Sequence, residues 1–203
     1  MPPIPPPRAR NAAATRAAIL DAARRRFVRE SYDTVGLREV AADVGVDAAL
    51  VSRYFGSKEE LFNEVLASTG DASELFQGDL ERFGRRVAEL IVSDPQRDAK
   101  LDGLLIMLRS SASPKAADIV RRRLDHKFYE PFAAWVGGED ARIRVRLAGA
   151  LIMGVTLSRA LSHDLGLSAS EREGLLDHLA ALLQSCVGSP TGAIAPAESS
   201  IGG

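Results

Sequence analysis

Arg53 stands between Ser52 and Tyr54, and Lys58 follows one helical turn later. A guanidinium can pair bidentately with the O6 and N7 edge of guanine, whereas hydroxyls and an ammonium donate to phosphate oxygens. Ala48 and Ala49 precede this group and are small enough to permit close approach, and Leu50 or an alanine can touch a thymine methyl. These contacts require one exposed helix face held rigidly enough to enter the major groove of DNA.

The surrounding stretch, "LREVAADVGVDAALVSRYFGSK" from Leu37 to Lys58, supplies such a holder. Its apolar spacing predicts one short helix over Leu37 to Val44 and another over Asp47 to Tyr54, with Gly45 between them. A turn this tight needs a residue that tolerates left-handed dihedrals, which Gly45 does. Val40, Val44, Val46 and Val51 fill the space between the two helices, Ala41 keeps their approach close, and Asp47 can cap the second. Ser57 with Glu60 has capping-box spacing and predicts a further helix carrying Leu61, Val65 and Leu66 onward. Upstream, Thr15 to Arg29 predicts a helix with Ala18, Ile19, Ala22, Ala23 and Phe27 on its apolar stripe and Arg16, Arg24 and Arg25 outside it. The pattern is that of a helix-turn-helix.

Over the whole chain of 203 residues the formal charge is only −1, so no general basic coat exists. Between Arg8 and Arg29, however, seven arginines meet one acid, Asp21, which makes that segment locally positive. Five prolines among the first seven residues predict a disordered arm over 1–13, and the small polar residues of 188–203 predict a flexible tail. The single cysteine, Cys186, excludes an internal disulfide and a thiolate metal set. No apolar run is long enough for a membrane span, and the amino terminus lacks the apolar stretch of a signal peptide, so a cytoplasmic location is expected. The remainder predicts helices near 73–93, 97–112, 114–136, 139–163 and 170–187, with Pro131 kinking or interrupting the third. The expected fold is all-α, with a three-helix DNA-binding domain over 14–60 joined to a larger helical effector-binding and dimerisation domain over 61–187.

From Thr15 to Phe62 the sequence resembles the amino-terminal DNA-binding domain of the TetR family of transcriptional regulators. The resemblance rests on Ile19, Ala22, Phe27, Val40-Ala41, Gly45-Val46, Phe55 and the Lys58-Glu59-x-Leu61 opening of the fourth helix. Gly36 stands where that family usually has a threonine or serine cap, and Ser52 where a tyrosine is common. The resemblance implies contacts with a double-stranded DNA operator at Arg38, Ala48, Ala49, Leu50, Ser52, Arg53, Tyr54 and Lys58. It further implies a homodimer and a small-molecule effector, with no cofactor.

Two features of the second half agree. One stripe of the helix near 139–163 holds Leu147, Leu151, Gly154, Leu157 and Leu161, and another holds Val145, Ala148, Ile152 and Val155. A helix apolar on two faces needs two partners. With Leu175, Leu176, Leu179, Leu182, Leu183 and Cys186 near the end, it can build an intermolecular four-helix bundle, or both can be core helices of a monomer. Leu105, Met107, Leu108, Phe128, Phe132, Trp135 and Met153 can line an apolar effector cavity or serve as core. The effector would act by favouring a conformation whose two recognition helices are wrongly spaced for DNA, with the fourth helix as the lever.

Enzyme chemistry finds little support. His126, His163 and His178 are scattered without metal-ligand spacing, and there is no glycine-rich phosphate loop or nucleophile elbow. A helical module whose helix-turn-helix grips a protein partner remains the alternative, and steep salt dependence would separate DNA from protein.

Overall fold

The structure, a computed structural model, describes residues 7–70, 75, 76, 78–93, 97–162 and 164–188. Every regular element among the described residues is helical. In chain order these are α1 (Pro7–Arg29), α2 (Leu37–Val44), α3 (Ala48–Phe55), α4 (Lys58–Ser68) and α5 (Phe83–Ser93). They continue as α6 (Arg97–Ser110), α7 (Pro114–Leu124), α8 (Glu130–Val136), α9 (Ala141–Leu161) and α10 (Ala169–Val187). The chain divides into two compact units. The first takes residues up to Glu74 together with Pro95–Phe128, hence α1–α4, α6 and α7; the second takes Leu75–Asp94 and everything from Tyr129, hence α5 and α8–α10.

In the first unit Ile19, Ala22, Ala23 and Phe27 of α1 meet Val40 and Ala41 of α2, Val51 and Phe55 of α3, and Leu61, Phe62 and Val65 of α4 in one core. Phe62 stands edge-on to both Phe27 and Tyr32, with ring centroids 4.9 and 5.0 Å apart. Ile106 of α6 and Ala116 and Ile119 of α7 are buried in the same core, so these two helices belong physically with the helix-turn-helix. In the second unit Phe83, Phe132, Trp135 and Phe76 form an aromatic cluster, with Phe76 and Phe132 stacked at 4.7 Å. Arg144 of α9 ties two helix ends together there. Its guanidinium donates to the carbonyl of Gly137 after α8, at 2.6 Å, and to those of Val187 and Gly188 at the end of α10, at 3.2 and 2.9 Å. A cation at helix C-termini satisfies carbonyls that have no partner in the helix.

Several expectations need correction. Helix α1 begins at Pro7, not near Thr15, so 7–13 is helical instead of a disordered arm; residues 1–6 lie outside the described residues. Proline is compatible with a first helical turn, and the alanines that follow favour propagation. Ala18 is exposed, whereas Arg16 lies against the head, its guanidinium 4.6 Å over the Phe55 ring and paired with Glu64. The helix expected from residue 73 starts at Phe83, after Gly78 (φ 92) and an extended Asp79 have broken the path; 71–74 and 77 lie outside the described residues. The helix over 114–136 is interrupted as expected, by a wide π turn at Asp125–Tyr129, because Pro131 offers no N–H to the preceding turn. Helix α9 begins at Ala141, since Asp140 is left-handed (φ 59). Helix α10 opens with a capping box of Ser168 and Glu171, at the same three-residue spacing as Ser57 and Glu60. The tail expected over 188–203 falls outside the described residues beyond Gly188.

Candidate nucleic-acid interface

Helix α2 closes at Gly45, which is left-handed (φ 71), and the Val46 N–H bonds the Ala41 carbonyl at 3.0 Å. Nothing lies within 4 Å of the point where a Gly45 Cβ would sit, so handedness and not crowding requires the glycine. Asp47 then caps α3, its carboxylate accepting the Ala49 N–H at 2.7 Å. Ser57 and Glu60 complete the expected capping box at the start of α4, with bonds of 3.2 and 2.7 Å. Arg26 of α1 grips Asp43 of α2 through two bonds of 2.6 and 2.8 Å, which fixes α2 against α1. That pairing holds the Asp43 carboxyl below its usual range.

Val51 and Phe55 anchor α3, at 0% and 5% exposure. Ala48 and Tyr54 are partly buried against the same core, and Leu50 is half-buried. Ala49, Ser52 and Arg53 are exposed, as is Arg38 on α2. The outward face of α3 is thus narrower than the spacing suggested, with Arg53 its one long donor, its guanidinium 5.8 Å from the Tyr54 ring centroid. Lys58 is occupied within the head. Its Nζ lies 4.5 Å over the Tyr32 ring and donates to the Asp33 carbonyl at 3.3 Å. Burial pushes its pKa down, an effect that Asp33 opposes.

Four arginines of α1 are paired with carboxylates, the first being Arg16 with Glu64. Arg24 and Arg25 pair with Asp21, Arg24 lies 3.8 Å from Asp102 of α6, and Arg26 holds Asp43 and Glu30. Glu64, Asp102 and Asp43 thus reach this basic segment from other parts of the sequence, which composition within the segment could not reveal.

In the second unit the two expected stripes of α9 separate in its first half, whereas Val155 of the second stripe joins the groove lined by the first. Val145 and Ala148 are buried, whereas Leu147 and Leu161 are 57% and 76% exposed. An open apolar groove of about 600 Å³ runs between α9 and α10, lined by Leu147, Leu151, Gly154 and Val155 on one side and Leu175, Leu182 and Cys186 on the other. Burial pushes the Cys186 thiol pKa up.

The seven residues expected around an effector cavity are divided between the units: Leu105, Met107, Leu108 and Phe128 fall in the first, Phe132, Trp135 and Met153 in the second. Met107 packs against the core of the first unit, and Phe132 is fully buried in the aromatic cluster, so both serve as core. Leu108 is 52% exposed. Among the described residues no helix is long and apolar enough to cross a membrane.

This arrangement has counterparts. Residues 19–65 match the profile of the family described as "Bacterial regulatory proteins, tetR family", and residues 81–187 match that of "Tetracyclin repressor-like, C-terminal domain". Among solved structures the chain is similar to NalD of Pseudomonas aeruginosa, the secondary repressor of the MexAB-OprM multidrug efflux pump. The two share 23% identity over 83% of this chain and 95% of that one, with a TM-score of 0.65. A TetR-family regulator of Streptomyces coelicolor A3 is 28% identical over 85% of this chain and 94% of its own, with a TM-score of 0.55. A transcriptional regulator of Saccharomonospora viridis, solved in complex with choline, is 20% identical over 85% and 96%, with a TM-score of 0.56. No curated protein sequence matches the chain. With a helix-turn-helix head built as described and the two family profiles together spanning most of its length, the chain belongs to the TetR family of transcriptional regulators, which are DNA-binding and not enzymatic.

Proposed function

We propose that this regulator is a repressor that binds a palindromic operator as a homodimer and is released by a small-molecule effector. The observation that carries the DNA reading is the construction of α3: capped by Asp47, anchored by Val51 and Phe55, and presenting Ala49, Ser52 and Arg53 outward. In this reading α3 enters the major groove and Arg53 pairs with a guanine edge, while Arg38, Ser52, Tyr54 and Lys58 hold phosphates and Ala48, Ala49 and Leu50 approach bases. Lys58 must leave the Tyr32 ring to do so, a short swing of a flexible side chain. One head contacts few base pairs, so specificity calls for two half-sites about 34–36 Å apart. The exposed stripe of α9 with its α10 groove supports pairing of two copies there, since large open apolar faces are costly to leave in water.

For the effector, Trp135 and Met153 of the second unit remain only partly buried and so retain surface that a ligand can cover. A relative that holds choline supports small-molecule response as a mode of control. An effector shifts the equilibrium only by its differential affinity for the two states.

The test is binding of labelled DNA from beside the protein's own gene at several salt concentrations, with a scrambled duplex as control. Arg53→Ala should lose about 1–3 kcal/mol on the specific site alone. Equal affinity for specific and scrambled DNA at every salt would refute sequence reading by α3.

A further inference from the structure

Ser113 occupies the cap position before α7, with φ −100 and ψ 115, yet its hydroxyl makes no bond to its own helix. A cap hydroxyl ordinarily satisfies one of the free N–H groups of the helix it precedes. Here it bonds the Asp33 carboxylate instead, Oγ to Oδ1 at 2.9 Å, in the connection between α1 and α2. Ser113 is only 2% exposed while Asp33 lies on an exposed turn, so the bond ties a buried hydroxyl to a charged acceptor at the edge of the core. Two residues on, Lys115 forms an ion pair with Glu59 in the first turn of α4. Asp33 in turn receives Lys58, the first residue of α4, on its backbone carbonyl. Ala116 and Ile119 seat α7 in the core shared with α1 and α4, which keeps this first turn in place.

We propose that the first turn of α7 is a clamp that brackets the helix-turn-helix. Ser113 holds the segment entering α2, Lys115 holds the segment leaving α3, and together they fix the pose in which α3 is presented. Ser113 and Asp33 are positioning residues. The clamp rests on the proposed DNA reading for its effect on operator affinity, but not for its effect on the head itself. Of its two arms the Ser113 bond carries more, because Lys115 is 64% exposed and exposed ion pairs contribute little. Any rearrangement of α7 is then felt at α2 and α3 without passing along α4.

The experiment uses the full chain and the variants Ser113→Ala, Asp33→Ala, their double, and Asp33→Asn, which keeps an acceptor for the hydroxyl. Amide hydrogen exchange is followed in the free protein, and affinity is measured for operator and scrambled duplexes. Both alanine variants should speed exchange over residues 37–55 by roughly 5- to 10-fold, the double no more than the larger single, and Asp33→Asn little. Operator affinity should fall several-fold in the same variants with an unchanged salt slope, because no phosphate contact is removed. Exchange that speeds up only within α7, or a double variant equal to the sum of the singles, would overturn the clamp. Should Ser113→Ala fail to fold by circular dichroism, Asp33→Ala, on an exposed turn, carries the same test against Asp33→Asn. If α2 and α3 loosen as expected but no form of the protein separates operator from scrambled DNA, the clamp stands and the operator reading falls. If the wild type reads an operator and the variants change neither exchange nor affinity, the operator reading stands and the clamp falls.

Discussion

Replacing Gly84 by alanine tests whether the backbones of α5 and α10 touch. A Cβ at Gly84 would run into the carbonyl oxygen of Ala180 and come within 2.8 Å of both the backbone nitrogen and the Cβ of Gln184. Relaxed carbon contacts lie at about 3.5–4.0 Å, so the helices would have to part by about 0.7 Å or more, and no side chain can rotate away to relieve the backbone clash. Separation also stretches two bonds of Gln184, which accepts the Gly84 N–H and donates to the Leu80 carbonyl, each at 2.9 Å. Overpacking of a core contact costs about 1–3 kcal/mol, and two weakened hydrogen bonds add roughly 1 kcal/mol between them. The sum, about 2–4 kcal/mol, corresponds to a fall of roughly 5–12 °C in melting temperature for a chain of this size. Thermal denaturation by circular dichroism at fixed protein concentration measures it. Gln184→Leu, which removes the bonds without adding a clash, should show only the smaller part. A Gly84→Ala protein melting within about 1 °C of wild type would refute close backbone contact between these helices.

Leu182→Glu places a carboxylate at the mouth of the α9 and α10 groove on a residue already 53% exposed, so it should leave the monomer folded. Sedimentation should then show the protein shift from dimer to monomer with little change in far-ultraviolet dichroism, and an unchanged dimer would move the interface elsewhere. Arg144→Met keeps the length of the side chain but abandons the carbonyls at the ends of α8 and α10; a loss of about 2–3 kcal/mol is expected in chemical denaturation. The Asp43 carboxyl titrates lower in the folded head than in the unfolded chain because Arg26 binds its charged form. Its contribution is therefore fully present above the ordinary carboxylate pKa of about 4 and is lost as pH falls through the lower folded value. Asp43→Asn should melt below wild type at neutral pH and converge with it in acid, and a gap that persists in acid would show that charge is not the cause.

What could be read in advance depended on how far apart the deciding residues lie. Gly45, Asp47, Ser57 and Glu60 act over two to five positions, and their turn and caps appear in the structure where the sequence placed them. The apolar period of α9 likewise separated Val145 and Ala148 from Leu147 and Leu161, because a helix sorts its own faces. Residues whose partners are remote in sequence were not legible in this way. Arg26 reads as one more cation in a basic run until Asp43 of the next helix meets it, and Arg24 until Asp102 of α6 comes within reach. Met107 looked like lining for a ligand because nothing local reveals that α6 is packed into the DNA head. Ser113 fits the pattern of a helix cap, and only the fold shows its hydroxyl turned toward Asp33. These remote pairings all lie in the first unit and all bear on α1, α2 or α4, the helices that frame α3. In the proposed reading, the local sequence of the helix-turn-helix specifies the face offered to DNA, while residues of α6 and α7, far from it in sequence, add to what holds that face in place. A regulator built this way can change what it recognises by substitutions on α3 and how firmly that face is held by substitutions near Ser113, two properties that selection can then alter separately.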